Sequence, residues 1–371
     1  CMTGPEAAAL FYDENRFARA GVAPGWLKKT LFGKGGVQGL DGEAHRHRKA
    51  MFMSLMSPER IGRLGEIAAD WFRAYARKWA GMNRVVLYDE VNEVLSRAVC
   101  DWAGVPLPEA EVGRRTSELM AMFDRAATLS PSHLWSRLAR RRAERWIEDL
   151  IENIRAGRLK PPKESAAWVA AMHRDLKGEL LDRHTAAVEL INVLRPTVAV
   201  SVFITFAALA LHQYPSCREK LVSGESGYVD LFAQEVRRFY PFFPAVMARV
   251  RQDFDWRGFH FPAATPVALD LYGTNHDPRT WEAPDEFRPE RFRQWDGSPF
   301  NFIPQGGGDH HKNHRCPGDW VSVELIKVAS SFLAGGVAYD VPEQDLGIDW
   351  ARLPALPHSR LVISNVRADV R

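Results

Sequence analysis

The chain has 371 residues, of which 46% are hydrophobic and 26% charged, with a formal net charge of +3 at pH 7. This length and composition support one large globular unit, residues 1–371, with a substantial core and no repeats. The nearly neutral charge argues against a nucleic-acid-binding protein. Four scattered cysteines exclude a disulfide scaffold and favour a reducing, cytoplasmic location.

The predicted elements are mainly helices, followed by short strands. The chain begins within an apparently helical segment, CMTGPEAAALFYDENRF, without the features of a signal peptide. Ser57 and Pro58 start a helix that ends near Gly81. Further helices are predicted over residues 90–103, 109–127, 132–156 and 165–175, and strands over residues 246–252, 255–261, 265–269 and 360–366. The fold class is therefore mainly α with small β-sheets.

The densest basic run covers residues 137–146, RLARRRAERW. Clustered arginines could neutralise phosphates of a nucleic acid. Leu138 and Trp146 belong instead to an apolar stripe at helical spacing, so we interpret the arginines as a solvated helix face.

The longest apolar stretch covers residues 185–212. Its uninterrupted part after Arg195 is short for a membrane span, and Glu189 and Arg195 interrupt the rest, so a buried core helix is expected. Pro196 removes a backbone hydrogen bond, so the helix should bend or open there. A buried Arg195 needs an anion, which could be a carboxylate from another helix or a bound ligand.

Cys316 lies where a glycine-rich loop becomes an apolar helix, in the stretch FNFIPQGGGDHHKNHRCPGDWVSVELIKVASSFLA over residues 300–334. A helix N-terminus stabilises a thiolate. Three interpretations compete: a buried structural thiol, a zinc site with His310 and His314, or a single axial thiolate to haem iron. The spacing lacks the second ligand pair typical of structural zinc, and the single cysteine suits haem.

At this point several segments resemble one family. The loop GGGDHHKNHRCPG resembles that of the cytochrome P450 superfamily, in the lengthened form found in peroxide-driven fatty-acid hydroxylases, and most resembles the bacterial fatty-acid alpha-hydroxylases. The resemblance also extends through VQGLDGEAHRHRK, LRPTVAV, EVRRFYPFFP and FRPERF. Asn313 departs from it, because the family usually has glycine there. The beginning of the chain departs too, since family members carry a further N-terminal segment.

The resemblance implies a single haem-thiolate catalytic domain of the P450 fold, lacking its N-terminal segment, with haem b as cofactor and Cys316 as the metal ligand. Ordinary monooxygenases of the superfamily place an acid and an alcohol where this chain has Arg195 and Pro196. Hydrogen peroxide would then serve as oxidant, with no redox partner protein. A long-chain fatty acid bound by Arg195 would supply the general acid and base through its carboxylate. Hydroxylation is expected at the alpha carbon, with the beta carbon next in reach.

The same resemblance assigns several further residues. Glu235 and Arg238 are expected to form a buried structural ion pair, with Arg291 as its third member. Phe242 and Phe243 are expected along the haem pocket, with core packing as the alternative.

Residues near the N-terminus are expected around the haem itself. His45 and Lys49 are four apart and share a helix face that would bind a propionate, and Arg19 is a weaker candidate for the same role. Gln38 is expected over the distal face, where an amide favours hydroxylation over decarboxylation. The rival functions are a reductase-dependent monooxygenase, a decarboxylase of the same family, and a haem-binding sensor or carrier.

Overall fold

In the computed structural model, residues 1–22, 24–124 and 132–368 are described. The described part is mainly helical with small sheets, which confirms the predicted fold class. The helices are α1 Pro5–Phe11, α2 Gly25–Leu27, α3 Gly42–Met53, α4 Pro58–Ala80, α5 Leu87–Ala103, α6 Val112–Asp124, α7 Ser132–Arg155, α8 Ala166–Met172, α9 Arg183–Ala199, α10 Ser201–Gln213, α11 Pro215–Val222, α12 Tyr228–Phe239, α13 Leu271–Asn275 and α14 Asp319–Ser331. Short 3-10 or π turns cover Lys28–Phe32, Val37–Gly39, Glu109–Glu111, Pro289–Arg293 and Phe332–Gly336.

The strands form four small antiparallel sheets. They are β1 Phe17–Ala18, β2 Val85–Val86, β3 Ala245–Val250, β4 Phe254–Trp256, β5 Phe259–Phe261, β6 Pro266–Asp270, β7 Ala338–Asp340, β8 Ile348–Asp349, β9 Leu356–Pro357 and β10 Val362–Arg367. Two sheets have three strands, in the orders β1-β3-β6 and β2-β10-β7, and the pairs β4-β5 and β8-β9 complete the set. In the longest pairing, Val246 of β3 is opposite Leu269 of β6.

Most predicted helices are present with small shifts at their ends. The side chain of Ser57 accepts a hydrogen bond from the backbone N–H of Arg60, which caps α4 as expected. The helix predicted over residues 109–127 begins with a 3-10 turn and continues as α6, and its last three residues lie outside the described part of the chain.

The single strand predicted over residues 255–261 is wrong. The segment is a hairpin, because Arg257 and Gly258 both adopt positive φ angles, 52° and 76°, and turn the chain between β4 and β5. Two consecutive left-handed residues form the tight turn that joins antiparallel strands.

Helices α9 and α10 form the centre of the core. Within the described residues, one helical stretch, Arg183–Gln213, is long and apolar enough to cross a membrane, but 94% of its most apolar window is buried inside the protein. Such burial is that of a core helix. Helix α9 continues through Pro196, where the sequence predicts a bend or opening. The break between α9 and α10 lies at Val200, four residues further along.

The basic run on α7 is only partly solvated. Arg140 is buried, and its guanidinium donates to the carboxylate of Glu144 and to the backbone oxygens of Leu31 and Phe32. Leu138, predicted to be part of the buried stripe, is 42% exposed. The prediction is therefore wrong for both residues, because α7 is rotated so that Arg140 faces the turn formed by residues 28–32.

Candidate active site

The loop before α14 brings Cys316 to the edge of a large cavity. Gly306 and Gly308 adopt φ angles of 93° and 82°, which favour glycine. A Cβ on Gly307 would approach the backbone oxygen of Pro299 to 2.6 Å, so the loop closes on itself too tightly for a side chain there. The backbone N–H of Cys316 donates to the oxygen of Gln305 at 3.2 Å, which fixes the cysteine where α14 begins.

A polar cluster that the sequence did not predict surrounds this loop. Asp319, in the first turn of α14, accepts hydrogen bonds from the buried guanidinium of Arg237 and from Arg315. The side-chain amide of Gln305 donates to Ser322 at 3.0 Å and lies 3.9 Å from the sulfur of Cys316. Burial lowers the pKa of Arg237 to about 9. These contacts hold the loop and orient an N–H donor towards the sulfur.

The side chains considered for zinc have other partners. His310 contacts the carboxylate of Asp319 at 3.2 Å and stacks on Trp320, and His314 lies 3.5 Å from Asp41. No group of three or more His, Cys, Asp or Glu side chains suited to a metal ion occurs among the residues that the structure describes.

One cavity of about 440 Å³ collects nine of the twelve predicted site residues. They are Arg19, Gln38, His45, Lys49, Arg195, Pro196, Phe242, Phe243 and Cys316. Glu235, Arg238 and Arg291 lie elsewhere, in the ion cluster predicted for them. Phe242 also packs in the core, with its ring centroid 4.5 Å from that of Phe203, so lining the cavity and packing in the core are not exclusive for this residue.

Basic side chains converge at one end of the cavity. His45 and Lys49 are buried on α3, and the His45 ring stacks on His314 at 3.8 Å. The ammonium group of Lys49 donates to the backbone oxygens of Asn313 and Arg315. One terminal nitrogen of Arg19 donates to the backbone oxygen of Met247 at 3.0 Å, and the other is buried with no hydrogen-bond partner among the described residues. Burial, aided by neighbouring positive charges, lowers the pKa of His45 to about 3, and burial lowers that of Lys49 to about 8.

Arg195 is buried at the cavity wall and has no carboxylate partner among the described residues. Its Nε atom makes no hydrogen bond. Burial, together with the nearby charge of Arg140, lowers its pKa to about 9. Glu189, the carboxylate on the same helix, instead accepts from Arg48 at 2.7 Å. The structural ion pair considered for Arg195 from sequence is therefore not formed within the described part of the chain.

An amide network holds the distal side of the cavity. The side-chain amide nitrogen of Asn192 donates to Oε2 of Glu189 at 3.2 Å and to Oε1 of Gln38 at 3.3 Å. The side-chain oxygen of Gln38 thus accepts a hydrogen bond, while that of Asn192 is buried and accepts none from any residue that the structure describes. Gly36 packs against this amide pair, where a Cβ would lie 2.9 Å from Asn192. Sequence reasoning found Gln38 but missed Asn192 and Arg48, because their roles depend on contacts between helices.

Glu235 of α12 is the centre of a buried ion cluster. Its carboxylate accepts from Nε and Nη2 of Arg238 at 2.7 and 2.8 Å, and from Arg291 at 3.2 Å. It also accepts from the backbone N–H of Arg288 at 2.7 Å. The remaining donors of Arg238 reach backbone oxygens of residues 275, 284 and 286. The cluster joins α12 to the segment that precedes the cysteine loop.

The chemistry of this site fits haem b. The cavity has a thiol at one edge, and the free Nη2 donor of Arg19 and the desolvated ammonium group of Lys49 would be stabilised by anions, which two propionates would supply. Cys316 would hold the iron, and His45, Lys49 and Arg19 would hold the propionates.

Comparisons with known proteins agree with this fit. The family model described as "Cytochrome P450" matches residues 225–322. A structure of cytochrome P450SP alpha (CYP152B1) in complex with (R)-ibuprofen superimposes with a TM-score of 0.98 at 56% identity, covering 99% of this chain and 90% of that one. Cytochrome P450EX alpha (CYP152N1) with myristic acid gives 0.96 at 47% identity, covering 100% and 89%. Ligand-free cytochrome P450 OleT gives 0.97 at 40% identity, with the same coverage.

Alignments with curated relatives are partial. The chain is 30% identical over 138 residues to cytochrome P450 71D18 of Mentha gracilis, which is 36% of this chain and 27% of the relative. It is 24% identical over 324 residues to cytochrome P450 71D94 of the same organism, which is 74% of this chain and 63% of the relative. The chain thus spans less than two thirds of these two relatives.

The fold, the cysteine loop and these matches together define a haem-thiolate oxidoreductase. The chain belongs to the cytochrome P450 superfamily and, within it, to the CYP152 family. Its cofactor is haem b.

Proposed function

We propose that the protein uses hydrogen peroxide to hydroxylate long-chain fatty acids at the alpha carbon, with the beta carbon next in reach, as a single catalytic domain that needs no redox partner protein. The observation that carries this proposal is the buried Arg195, which lines the same cavity as Cys316, has no carboxylate partner among the described residues, and has an Nε atom without a hydrogen bond. When bound, haem supplies the oxidising centre that inserts an oxygen atom from peroxide into a C–H bond.

Arg195 selects the substrate by its charge and geometry. A guanidinium binds a carboxylate through two parallel hydrogen bonds, which set both distance and orientation. Burial without an anion lowers the pKa of Arg195, and a bound carboxylate would raise that pKa by stabilising the charged guanidinium. A carboxylate held there would leave only the first carbons of the acyl chain within reach of the oxidising centre, which favours the alpha position.

The bound carboxylate also takes the place of a catalytic side chain. It can accept a proton that hydrogen peroxide loses and return that proton to the departing oxygen, which leaves as water. The overall change, R–H + H₂O₂ to R–OH + H₂O, is balanced without further electrons. Pro196, beside Arg195, has no group that could donate a proton.

The rest of the cavity suits an acyl chain. Its wall includes the apolar side chains Leu31, Phe52, Met56, Phe123 and Val200. Burying about ten methylenes contributes ~8 kcal/mol before the entropic cost of association is subtracted. Long chains are therefore favoured over short ones.

The distal amides favour hydroxylation over decarboxylation. Gln38 carries an amide, which can hold water or peroxide but cannot act as an acid. The side-chain oxygen of Gln38 already accepts a hydrogen bond from Asn192, so the N–H groups of Gln38 remain to donate into the cavity.

All four cysteines are free thiols, which is consistent with the reducing, cytoplasmic location expected from the sequence.

The test is product analysis with the purified haem-loaded protein, a long-chain fatty acid and hydrogen peroxide, without NADPH or reductase. We expect the 2-hydroxy acid as main product. Product formed only with NADPH and a reductase would point to a monooxygenase. A terminal alkene as main product would point to a decarboxylase, and absence of turnover under both conditions to a sensor or carrier.

A further inference from the structure

The N-terminal half of α7 presents apolar side chains to solvent. Leu134, Trp135 and Leu138 are 69%, 39% and 42% exposed, although the opposite side of the same helix, at Ala139 and Ala143, is completely buried. Single exposed apolar residues are ordinary, but three within five residues on one face form a patch. We call this set the α7 apolar tip.

A cationic band follows the apolar tip on the same face. Arg141, Arg142 and Arg145 are exposed, and their spacing from Leu134 and Leu138 places all five side chains on one side of the helix. The guanidinium of Arg142 lies over the ring of Trp135 at 5.5 Å, so the tip and the band are in contact.

The cationic band is not neutralised by its own helix. Of the nearby carboxylates of α7, Glu144 pairs with Arg140 and Glu148 with Arg183, and the exposed Asp149, one turn beyond Arg145, forms no ion pair with the band in the described structure. Within the described ranges, none of the three arginines of the band has an ion-pair partner. Their charge is therefore available to an external anion.

We propose that the α7 apolar tip and the cationic band bind an anionic phospholipid membrane surface. The leucines and the tryptophan at the end of the helix suit the acyl region of a bilayer. The arginines, one to three turns further along, suit the phosphate groups that lie above the acyl region. The rise from Leu134 to Arg145 is about 16 Å, so the tip can enter the acyl boundary while the guanidinium groups remain at the headgroups. A nucleic acid or an acidic protein would use the arginines but would not require the leucines.

The patch adjoins the wall of the active-site cavity. Arg140 of α7 holds the backbone of Leu31 and Phe32, and both residues line the cavity. Trp26, 38% exposed, lies just before this turn. When the protein is bound to a membrane, the part of the cavity wall formed by Leu31 and Phe32 would therefore lie close to the lipid. The binding itself goes beyond the proposed function and does not depend on it.

The test is co-sedimentation of the haem-loaded protein with vesicles of phosphatidylglycerol and phosphatidylcholine, without peroxide or turnover. We expect binding to the anionic vesicles that weakens with added salt, and little binding to phosphatidylcholine alone. Leu134→Ser combined with Leu138→Ser should lower the partition coefficient about tenfold or more. Removing the three charges of the band, through Arg141→Gln, Arg142→Gln and Arg145→Gln, should lower it on the order of 100-fold.

Matched variants control for general effects of polarity and charge. Val222→Ser removes an apolar side chain that is 58% exposed on α11, and a triple Arg→Gln variant at residues 63, 73 and 77 on α4 removes the same net charge. Both should bind like the wild type. Unchanged binding in the leucine variant, with loss in the arginine variant, would indicate a site for an acidic macromolecule and overturn the proposal. Absence of wild-type binding, or equal binding to uncharged vesicles, would also overturn it.

Discussion

Replacing Glu235 by alanine should destabilise the fold while leaving the chemistry of the site intact. The carboxylate and the guanidinium of Arg238 are both 0% exposed, so the substitution leaves a buried cation without its counterion. Breaking a buried pair in this way costs ~3–5 kcal/mol. That loss is comparable to the lower end of total domain stability, ~5–15 kcal/mol. Low soluble yield and low haem content are expected.

Urea unfolding followed by circular dichroism measures the effect on stability, and the absorbance of the haem band measures occupancy. Glu290→Ala is the matched control, because Glu290 also forms an ion pair, in its case with Lys220, but both of these side chains are more than a third exposed. That variant should lose at most ~1 kcal/mol. A stable Glu235→Ala protein with full haem and selectively lost turnover would refute the structural role.

Three further predictions concern the cavity. Cys316→Ala should abolish the strongly red-shifted Soret band of the reduced carbon monoxide complex, and retention of that band would identify a different iron ligand. A haem propionate should raise the pKa of Lys49 above its value of about 8 in the buried site, so haem binding is coupled to the uptake of a proton. The affinity for haem should therefore be highest below pH 8 and decline above it. Titration of apoprotein with haem on either side of pH 8 should show this decline, and Lys49→Met should remove it. Asn192→Ala should release the side-chain amide of Gln38 from its hydrogen bond and slow peroxide-driven oxidation about fivefold, because one hydrogen bond contributes ~1 kcal/mol. The affinity for the fatty acid should not change, and an unchanged rate of oxidation would contradict a positioning role for Asn192.

Local signals in the sequence were sufficient for most elements. The cap at Ser57, the glycines before Cys316 and the apolar run through α9 and α10 each act through near neighbours in the chain. Features that depend on contacts between distant elements were not predictable in the same way. The orientation of α7 is one example, since Arg140 is buried only because it meets backbone oxygens more than a hundred residues away.

The site shows the same division. Arg195 was identified because a charge in an apolar helix is anomalous in the sequence itself. That Arg195 has no carboxylate partner within the described ranges could not be predicted, because Glu189 lies on the same helix and only the fold shows that Glu189 pairs with Arg48. Likewise, Arg237 and Asp319 are ordinary charged residues in the sequence, and they form a pair across 82 positions beneath the cysteine loop.

The central claim is that Arg195 makes a carboxylate part of the catalytic machinery. The most direct measurement is the rate of styrene oxidation by hydrogen peroxide, with and without a short carboxylic acid that fills the site beside Arg195. The wild-type protein should oxidise styrene on the order of 100-fold faster with the acid, since general acid–base catalysis contributes at least that much. Arg195→Ala should keep its haem and show no such increase. Equal rates with and without the acid in the wild-type protein would contradict substrate-assisted catalysis and assign Arg195 a structural role.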